Sequence, residues 1–94
     1  MNKLNQEQIN SNLSKYLGWS FEHESISKQF QFKDFIEALS FVNAVGMESE
    51  KINHHPDILM FAWNKVKITV STHSAGEVTE KDFSLAQKIE ERLK

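Results

Sequence analysis

Hydrophobic residues recur along the chain with helical spacing in three segments and with strand-like alternation in four. The first helical segment follows Asn5, which can cap a helix together with Gln8 three residues later. A helix is predicted there that ends near Gly18. Its apolar stripe consists of Ile9, Leu13 and Tyr16 or Leu17.

The second and third helical segments also carry N-terminal signals. Asp34 is a capping residue with Glu37 at the third helical position, and Gly46 is placed to end that helix. Thr79 begins the last helix, with Asp82 at its third helical position. In the second helix one face is lined by Phe35, Leu39 and Val42, with Ala38, Phe41 and Val45 adjacent. In the third the stripe is Leu85, Ile89 and Leu93.

The strand-like segments come in two pairs. The segment from Ile58 to Trp63 is apolar on both faces, which indicates either a central strand or an edge strand covered by a partner. The predicted strands are about 19–23 and 26–33, joined at Glu24–Ser25, and about 58–63 and 66–72, joined at Asn64–Lys65.

The predicted order is therefore helix, two strands, helix, two strands, helix. This order favours an α+β fold, in which a four-stranded antiparallel sheet has helices packed on one face. With 94 residues, a single domain over positions 1–94 is expected. A domain of this size buries a modest core, so association into oligomers would add burial.

Composition excludes several classes of protein. The chain has no cysteine, so disulfides, thiolate nucleophiles and zinc fingers are ruled out. A net charge of −2 gives no reason to expect nucleic acid as a ligand. No apolar stretch approaches the roughly 20 residues that span a bilayer, so no membrane partner is expected. The N-terminus lacks the apolar core of a signal peptide, and a cytoplasmic protein is the default expectation.

Three of the four histidines stand where acid–base chemistry is plausible. His54 and His55 precede Pro56, which biases His55 toward an extended backbone and so turns the two rings in roughly opposite directions. His73 follows the last strand and can reach the same cleft, because the second hairpin folds back along the segment after His55.

Each candidate also has a simpler interpretation. His23 is expected to be a surface histidine, and the other three can occur together by chance. Asp82 can complete a helix cap on Thr79, Glu50 can be a solvated loop carboxylate beyond the second helix, and Trp63 can belong to the core or an interface. Three histidines could also hold a catalytic zinc, although the side chains of adjacent histidines diverge.

Taken together, these residues resemble the signature of a known family, the pterin-4a-carbinolamine dehydratases. The resemblance covers about residues 19–93 and includes NHHPDI at 53–58, WNKVKITVSTH at 63–73 and TEKDFSLAQKIE at 79–90. One departure lies after His73, where the family commonly has two glycines and this chain has Ser74-Ala75-Gly76-Glu77-Val78. The matching positions are Glu50, His54-His55-Pro56, Trp63, His73 and Asp82.

The resemblance implies a lyase that dehydrates 4a-hydroxytetrahydropterin to quinonoid dihydropterin in pterin recycling, with three histidines around the pterin. It also implies a saddle-shaped fold, homodimers joined sheet edge to sheet edge, tetramers in some members, and no metal or organic cofactor. We assign His54 and His73 as the acid–base pair and His55 to binding. The predicted substrate-binding set is completed by Glu50, Pro56, Trp63 and Asp82, of which the two carboxylates can orient a histidine or a pterin N–H.

Two other functions stay open. Animal members of the family also act as dimerisation cofactors of a homeodomain transcription factor, so a protein-binding module is one alternative. A metal-dependent lyase or hydrolase is the other.

Overall fold

The computed structural model describes residues 3–72 and 76–94 of the chain. Within them the predicted order of elements and the α+β class are confirmed. The four strands form one antiparallel sheet in the order β1-β2-β4-β3. The elements are α1 (Gln6–Lys15), β1 (Ser20–Glu22), β2 (Ser25–Gln31), α2 (Phe35–Lys51), β3 (Asp57–Phe61), β4 (Lys65–Val70) and α3 (Glu80–Arg92).

The core lies between the two central strands, β2 and β4, and the helices. Ile26 and Phe30 of β2 pair with Val70 and Val66 of β4, which puts their side chains on the same face of the sheet. From the helices, the fully buried side chains on this face include Ala38 and Val45 of α2 and Leu85, Ala86 and Ile89 of α3.

The predicted N-terminal caps are confirmed. Asn5 and Gln8 form a capping box on α1, and the Asp34 side chain accepts a hydrogen bond of 2.7 Å from the Glu37 amide on α2. Thr79 and Asp82 form a second capping box on α3. Because each cap satisfies backbone N–H groups that have no partner inside the helix, these three starts are fixed by local chemistry.

Both predicted hairpin turns are displaced toward the N-terminus. The first connection is His23–Glu24 rather than Glu24–Ser25, and both of its residues adopt positive φ angles. The second spans residues 62–64 rather than Asn64–Lys65, because Phe61 pairs with Lys65. There the left-handed residues are Ala62 and Trp63. The turn predictions were wrong because none of these four residues is a usual occupant of that conformation.

The surface of α2 also differs from expectation. The buried row contains the adjacent residues Ala38, Phe41 and Val45, whereas Phe35 and Leu39 of the predicted apolar face are exposed. Ile36 and Met47 are exposed as well, so α2 presents an apolar outer face. The strand β3 lies at the edge of the sheet, and Ile58 and Leu59 on it are exposed. Of the two positions predicted for this strand, the edge position is therefore the observed one.

An ion-pair cluster joins α2 to the end of α3. The Arg92 Nε donates to Glu48 Oε2 at 2.7 Å, and Lys51 Nζ lies 3.3 Å from the same oxygen. The Arg92 guanidinium, assisted by Lys51, holds the pKa of the Glu48 carboxyl below its ordinary value although burial opposes this. The cluster therefore contributes to docking of the two helices while Glu48 is ionised.

No helix in the described ranges is long and apolar enough to cross a membrane.

Gly46 does not end α2, contrary to the sequence prediction, and this gives a stability test. The helix continues to Lys51, and a Cβ built on Gly46 would meet no atom within 4 Å. We expect Gly46→Ala to raise the free energy of unfolding by about 1 kcal/mol, because alanine has the higher helix propensity. The melting temperature should rise by roughly 4–8 °C in a thermal unfolding scan.

The matched control is Gly18→Ala. Gly18 has a φ of +91°, and an added Cβ would lie 2.8 Å from Lys28 Cε. This variant should lower the melting temperature, since alanine is strained in that backbone conformation. A Gly46→Ala protein no more stable than the unsubstituted chain would show that α2 does not continue regularly through this position.

Candidate active site

The C-terminal end of α2 places the first histidine of the His-His-Pro run. Asn53 adopts a left-handed backbone with φ 49°, and its N–H donates to the Glu50 carbonyl at 3.2 Å. The His54 N–H then turns back to donate to the Ser49 carbonyl at 3.0 Å. These two bonds form a Schellman motif, in which asparagine is an accepted substitute for glycine. The helix thus ends at Lys51 and not at Gly46 as predicted, and its end fixes the backbone of His54.

His54 and Asp82 form a buried pair. Nε2 of the imidazole lies 2.6 Å from Oδ1 of the carboxylate. His54 is 8% exposed and Asp82 is 0% exposed, so the contact is shielded from water. Because the two residues are 28 positions apart, the pair joins the end of α2 to the first turn of α3.

The partner of His54 determines which ring nitrogen carries the proton. An ionised carboxylate can only accept hydrogen bonds, so Nε2 of His54 is the protonated nitrogen in this contact. Nδ1 has no hydrogen-bond partner among residues 3–72 and 76–94. Nδ1 is therefore the nitrogen that can accept a proton from, or return one to, a bound molecule.

Both carboxylate oxygens of Asp82 accept hydrogen bonds. Its Oδ2 accepts the Thr79 N–H at 2.8 Å as part of the capping box of α3, and it also accepts from the Thr72 hydroxyl at 3.0 Å. Its Oδ1 is left for His54. The helix-cap interpretation of Asp82 is thus correct, and the contact with His54 exists beside it.

Thr72 was not among the predicted site residues. It extends the core-facing row of Val66, Ile68 and Val70, and it is 3% exposed. A buried hydroxyl at the end of an apolar row needs hydrogen-bond partners, and that is the signal in the sequence that could have identified it.

His55 lies on the other side of the chain from His54. Its Nε2 is 2.5 Å from Oε2 of Glu50, and both side chains are more than half exposed. Glu50 belongs to the last turn of α2 and not to a loop as the sequence suggested. The half-buried Pro56 then leads into β3. The opposed exposure of the two rings agrees with the divergence expected from an extended His55.

Trp63 is not brought close to the His54–Asp82 pair within one chain. It lies in the turn between β3 and β4 and is 61% exposed. Asp57, at the opposite end of β3, pairs with Thr69, so His55 and Pro56 adjoin the far end of the same hairpin. Five strand residues at about 3.3 Å each separate the two ends by roughly 17 Å.

His73, the third predicted histidine, lies outside the described residues, as do Ser74 and Ala75. Within the described ranges, no group of three or more histidine, aspartate or glutamate side chains is arranged to hold a metal ion. Glu77, the extra acidic residue in the loop after His73, has Oε1 3.2 Å from Lys3 Nζ. Its negative charge is therefore partly offset by a lysine.

Comparison with known proteins identifies the family. The profile of the family described as "Pterin 4 alpha carbinolamine dehydratase" matches residues 2–92. A relative from Sulfurisphaera tokodaii is 43% identical over 93 residues, which cover 99% of each chain. A relative from Trichormus variabilis is 45% identical over 86 residues, or 92% of this chain and 91% of its own. Both are provisionally named pterin-4-alpha-carbinolamine dehydratases.

Solved structures agree with this family. A crystal structure from Brucella melitensis, described as a transcriptional coactivator/pterin dehydratase, superposes with a TM-score of 0.89 at 36% identity and covers 95% of this chain and 96% of its own. A pterin dehydratase-like RuBisCO assembly factor of the alpha-carboxysome has a TM-score of 0.60 at 22% identity over 76% of this chain and 81% of its own, and it shares the fold. This chain therefore belongs to the pterin-4-alpha-carbinolamine dehydratase family of hydro-lyases.

Proposed function

We propose that this chain dehydrates a 4a-hydroxytetrahydropterin to quinonoid dihydropterin and water by histidine acid–base catalysis, in support of pterin recycling. Membership of the family supplies the substrate class. The observation that carries the mechanism is the buried contact between His54 and Asp82, which leaves Nδ1 of the imidazole available.

The reaction needs both an acid and a base near neutral pH. The 4a-hydroxyl is a poor leaving group until it is protonated, and it then departs as water with the electrons of the C4a–O bond. A ring-nitrogen lone pair forms the new double bond to C4a, and that nitrogen afterwards loses its proton. Imidazole groups can donate and accept these protons near pH 7, and each such group typically contributes about 10²–10⁴-fold.

We assign the two proton transfers to His54 and His73, and the binding of the pterin to His55. Asp82 orients His54 through its carboxylate, while Glu50 holds His55 in the same manner from the last turn of α2. Pro56 keeps the two rings apart by restricting the backbone of His55. Histidines alone supply the chemistry in this scheme, so we expect the activity to need neither a metal nor an organic cofactor.

The test is a dehydration assay on the purified chain. We expect the absorbance of a 4a-hydroxypterin to disappear faster than it does spontaneously, and dialysis against a chelator should leave the rate unchanged. The control is an equal mass of the same protein after heat unfolding. A rate equal to the spontaneous one across the neutral pH range would overturn the proposal, and stoichiometric zinc with loss of activity on chelation would favour a metal-dependent lyase.

We also propose that two copies associate through their β3 edges. This strand has one neighbour in the sheet, β4, and it exposes Ile58 and Leu59. An apolar edge with free backbone groups is a favourable surface for pairing with another strand. In an antiparallel pair centred on Leu59, position 63 of one copy is opposite position 55 of the other. Such pairing would give Trp63 a place beside the histidine site of a second chain.

A second candidate function is that of a protein-binding module. The observation that favours it is the apolar outer face of α2, where Phe35, Ile36, Leu39 and Met47 are exposed. The Brucella melitensis relative carries both descriptions, coactivator and dehydratase. A purified chain that binds a specific protein through this face and does not turn over the pterin would favour the module.

A further inference from the structure

The hydroxyl of Thr72 lies on the side of Asp82 away from His54. Its Oγ1 is 3.0 Å from Oδ2 of Asp82 and 2.7 Å from Oγ1 of Thr79. All three side chains are at most 3% exposed. Burial of a hydroxyl is unfavourable unless hydrogen bonds replace its contacts with water. The hydroxyl of Thr72 is therefore accounted for by its hydrogen bonds inside the domain.

The direction of these hydrogen bonds is determined by Asp82. Its ionised carboxylate can only accept, so the single hydroxyl hydrogen of Thr72 is donated to Oδ2. The Thr79 hydroxyl lies 2.7 Å from Oγ1 of Thr72, beside this bond. The Thr79 N–H donates to Oδ2 as well, at 2.8 Å. Two donors, one from the end of β4 and one from the N-cap of α3, therefore hold the same carboxylate oxygen.

We propose that Thr72 is a positioning residue for His54. By holding Oδ2, its hydroxyl turns Oδ1 of Asp82 toward Nε2 of the imidazole and so fixes the orientation of the ring and of its Nδ1. This inference rests on the proposed acid–base role of His54. Thr72 makes no direct contact with the ring in the hydrogen-bond network, so its effect passes through Asp82.

Loss of the hydroxyl has a defined consequence. In Thr72→Val, Oδ2 of Asp82 keeps only the Thr79 N–H, and the carboxylate can rotate about its terminal torsion, which has broad minima. Either oxygen still accepts from Nε2–H of His54, so the tautomer is kept, but the contact is less firmly held. Nδ1 should then spend less time in the orientation in which it can receive a proton.

The first experiment measures, by NMR of the ligand-free protein, the ¹⁵N shifts of His54 and the exchange of its Nε2 proton with water. We expect the unsubstituted chain to show a protonated Nε2 with slow exchange, and Thr72→Val to show the same tautomer with faster exchange. Thr72→Ser, which keeps the hydroxyl, should restore the slow exchange. Thr69→Val is the matched control: Thr69 lies on β4, on the face opposite to the core-facing row that Thr72 extends, and its substitution should leave the exchange unchanged.

Thr72→Cys is included in case Thr72→Val does not fold, because its thiol is only a weak donor. It should speed the exchange of the Nε2 proton in the same way. If Thr72→Val and Thr72→Cys keep the slow exchange of the unsubstituted chain, the proposal is overturned. The measurement needs no pterin, so its outcome is independent of whether the chain proves to be a dehydratase.

The second experiment separates positioning from general damage. Thr72→Val should lower kcat about tenfold, a fraction of what an acid–base group contributes, and should change KM less than twofold. In a His54→Ala background the same substitution should have no further effect on kcat, because the two residues act as one unit. An equal loss in both backgrounds would show that Thr72 does not act through His54.

Discussion

Substitution of His54 by alanine is expected to slow dehydration of the pterin by at least tenfold. The variant lacks the Nδ1 atom that, in the proposed scheme, exchanges a proton with the substrate, and a general acid or base typically contributes about 10²–10⁴-fold. His73→Ala should have a similar effect. Steady-state rates measured between pH 6 and 8, after subtraction of the spontaneous reaction, provide the test.

His54→Gln distinguishes lost chemistry from lost packing. Glutamine can still donate an N–H to Oδ1 of Asp82, but it has no nitrogen that titrates near neutral pH. This variant should therefore be nearly as stable as the unsubstituted chain and as slow as His54→Ala. His23→Asn is the control for substitution of a histidine outside the site. His23 is exposed in the β1–β2 turn at a φ of 54°, which asparagine tolerates.

The acid–base assignment fails if His54→Ala and His73→Ala both keep the rate of the unsubstituted chain. If only His73→Ala is slow, His54 has a binding or structural role, and Nδ1 is not the atom that reacts.

The features of the fold that were predictable are those determined by neighbours in sequence. A capping box involves residues three positions apart, so the starts of the helices at Asn5, Asp34 and Thr79 could be predicted from local chemistry. The alternation of Val66, Ile68 and Val70 with polar residues is also a local pattern, and it coincides with the buried face of β4.

The features that were missed depend on contacts distant in sequence or on unusual backbone angles. α2 runs past Gly46 because Glu48 and Ser49, beyond that glycine, are buried and Glu48 is paired with Arg92 of α3. The helix ends where Asn53 takes the left-handed conformation. The sequence also did not distinguish the buried face of α2, since Phe35 and Leu39 are as apolar as the residues that face the core. Only the placement of the sheet and α3 decides between the two faces.

The candidate site likewise has features that the local sequence predicts and features that depend on distant contacts. The divergence of the His54 and His55 rings follows from the proline after them and was predicted. The contact of His54 with Asp82 brings together residues 28 positions apart, and a role in orienting a histidine was predicted for Asp82 only from the resemblance and from the chemistry of carboxylates. Thr72 was missed because threonine is common in strands. Its hydroxyl gains hydrogen-bond partners only when α3 packs beside it.

The two substitutions of Asp82 that we consider most informative should have different effects. In Asp82→Asn the side chain keeps its shape. Its oxygen must still face the Thr79 N–H, which can only donate, so the amide NH₂ takes the place of Oδ1. An NH₂ group facing Nε2 forces the imidazole proton onto Nδ1. We therefore expect kcat to fall at least tenfold with the fold retained, and the ¹⁵N shifts of His54 should report the reversed tautomer.

Asp82→Ala removes the acceptor of three buried donors: the His54 ring, the Thr72 hydroxyl and the Thr79 N–H. Each unsatisfied buried donor typically costs about 1–3 kcal/mol, and the cap of α3 is lost as well. A loss of about 3 kcal/mol in the free energy of unfolding is expected, with a fall of roughly 12–24 °C in melting temperature. Asp57→Ala, the same chemical change at an exposed position beside the site, should alter stability by less than about 0.5 kcal/mol. If Asp82→Ala has the same melting temperature as the unsubstituted chain, the buried carboxylate does not hold the end of α2, β4 and α3 together. Its proposed role in orienting His54 would then be wrong as well.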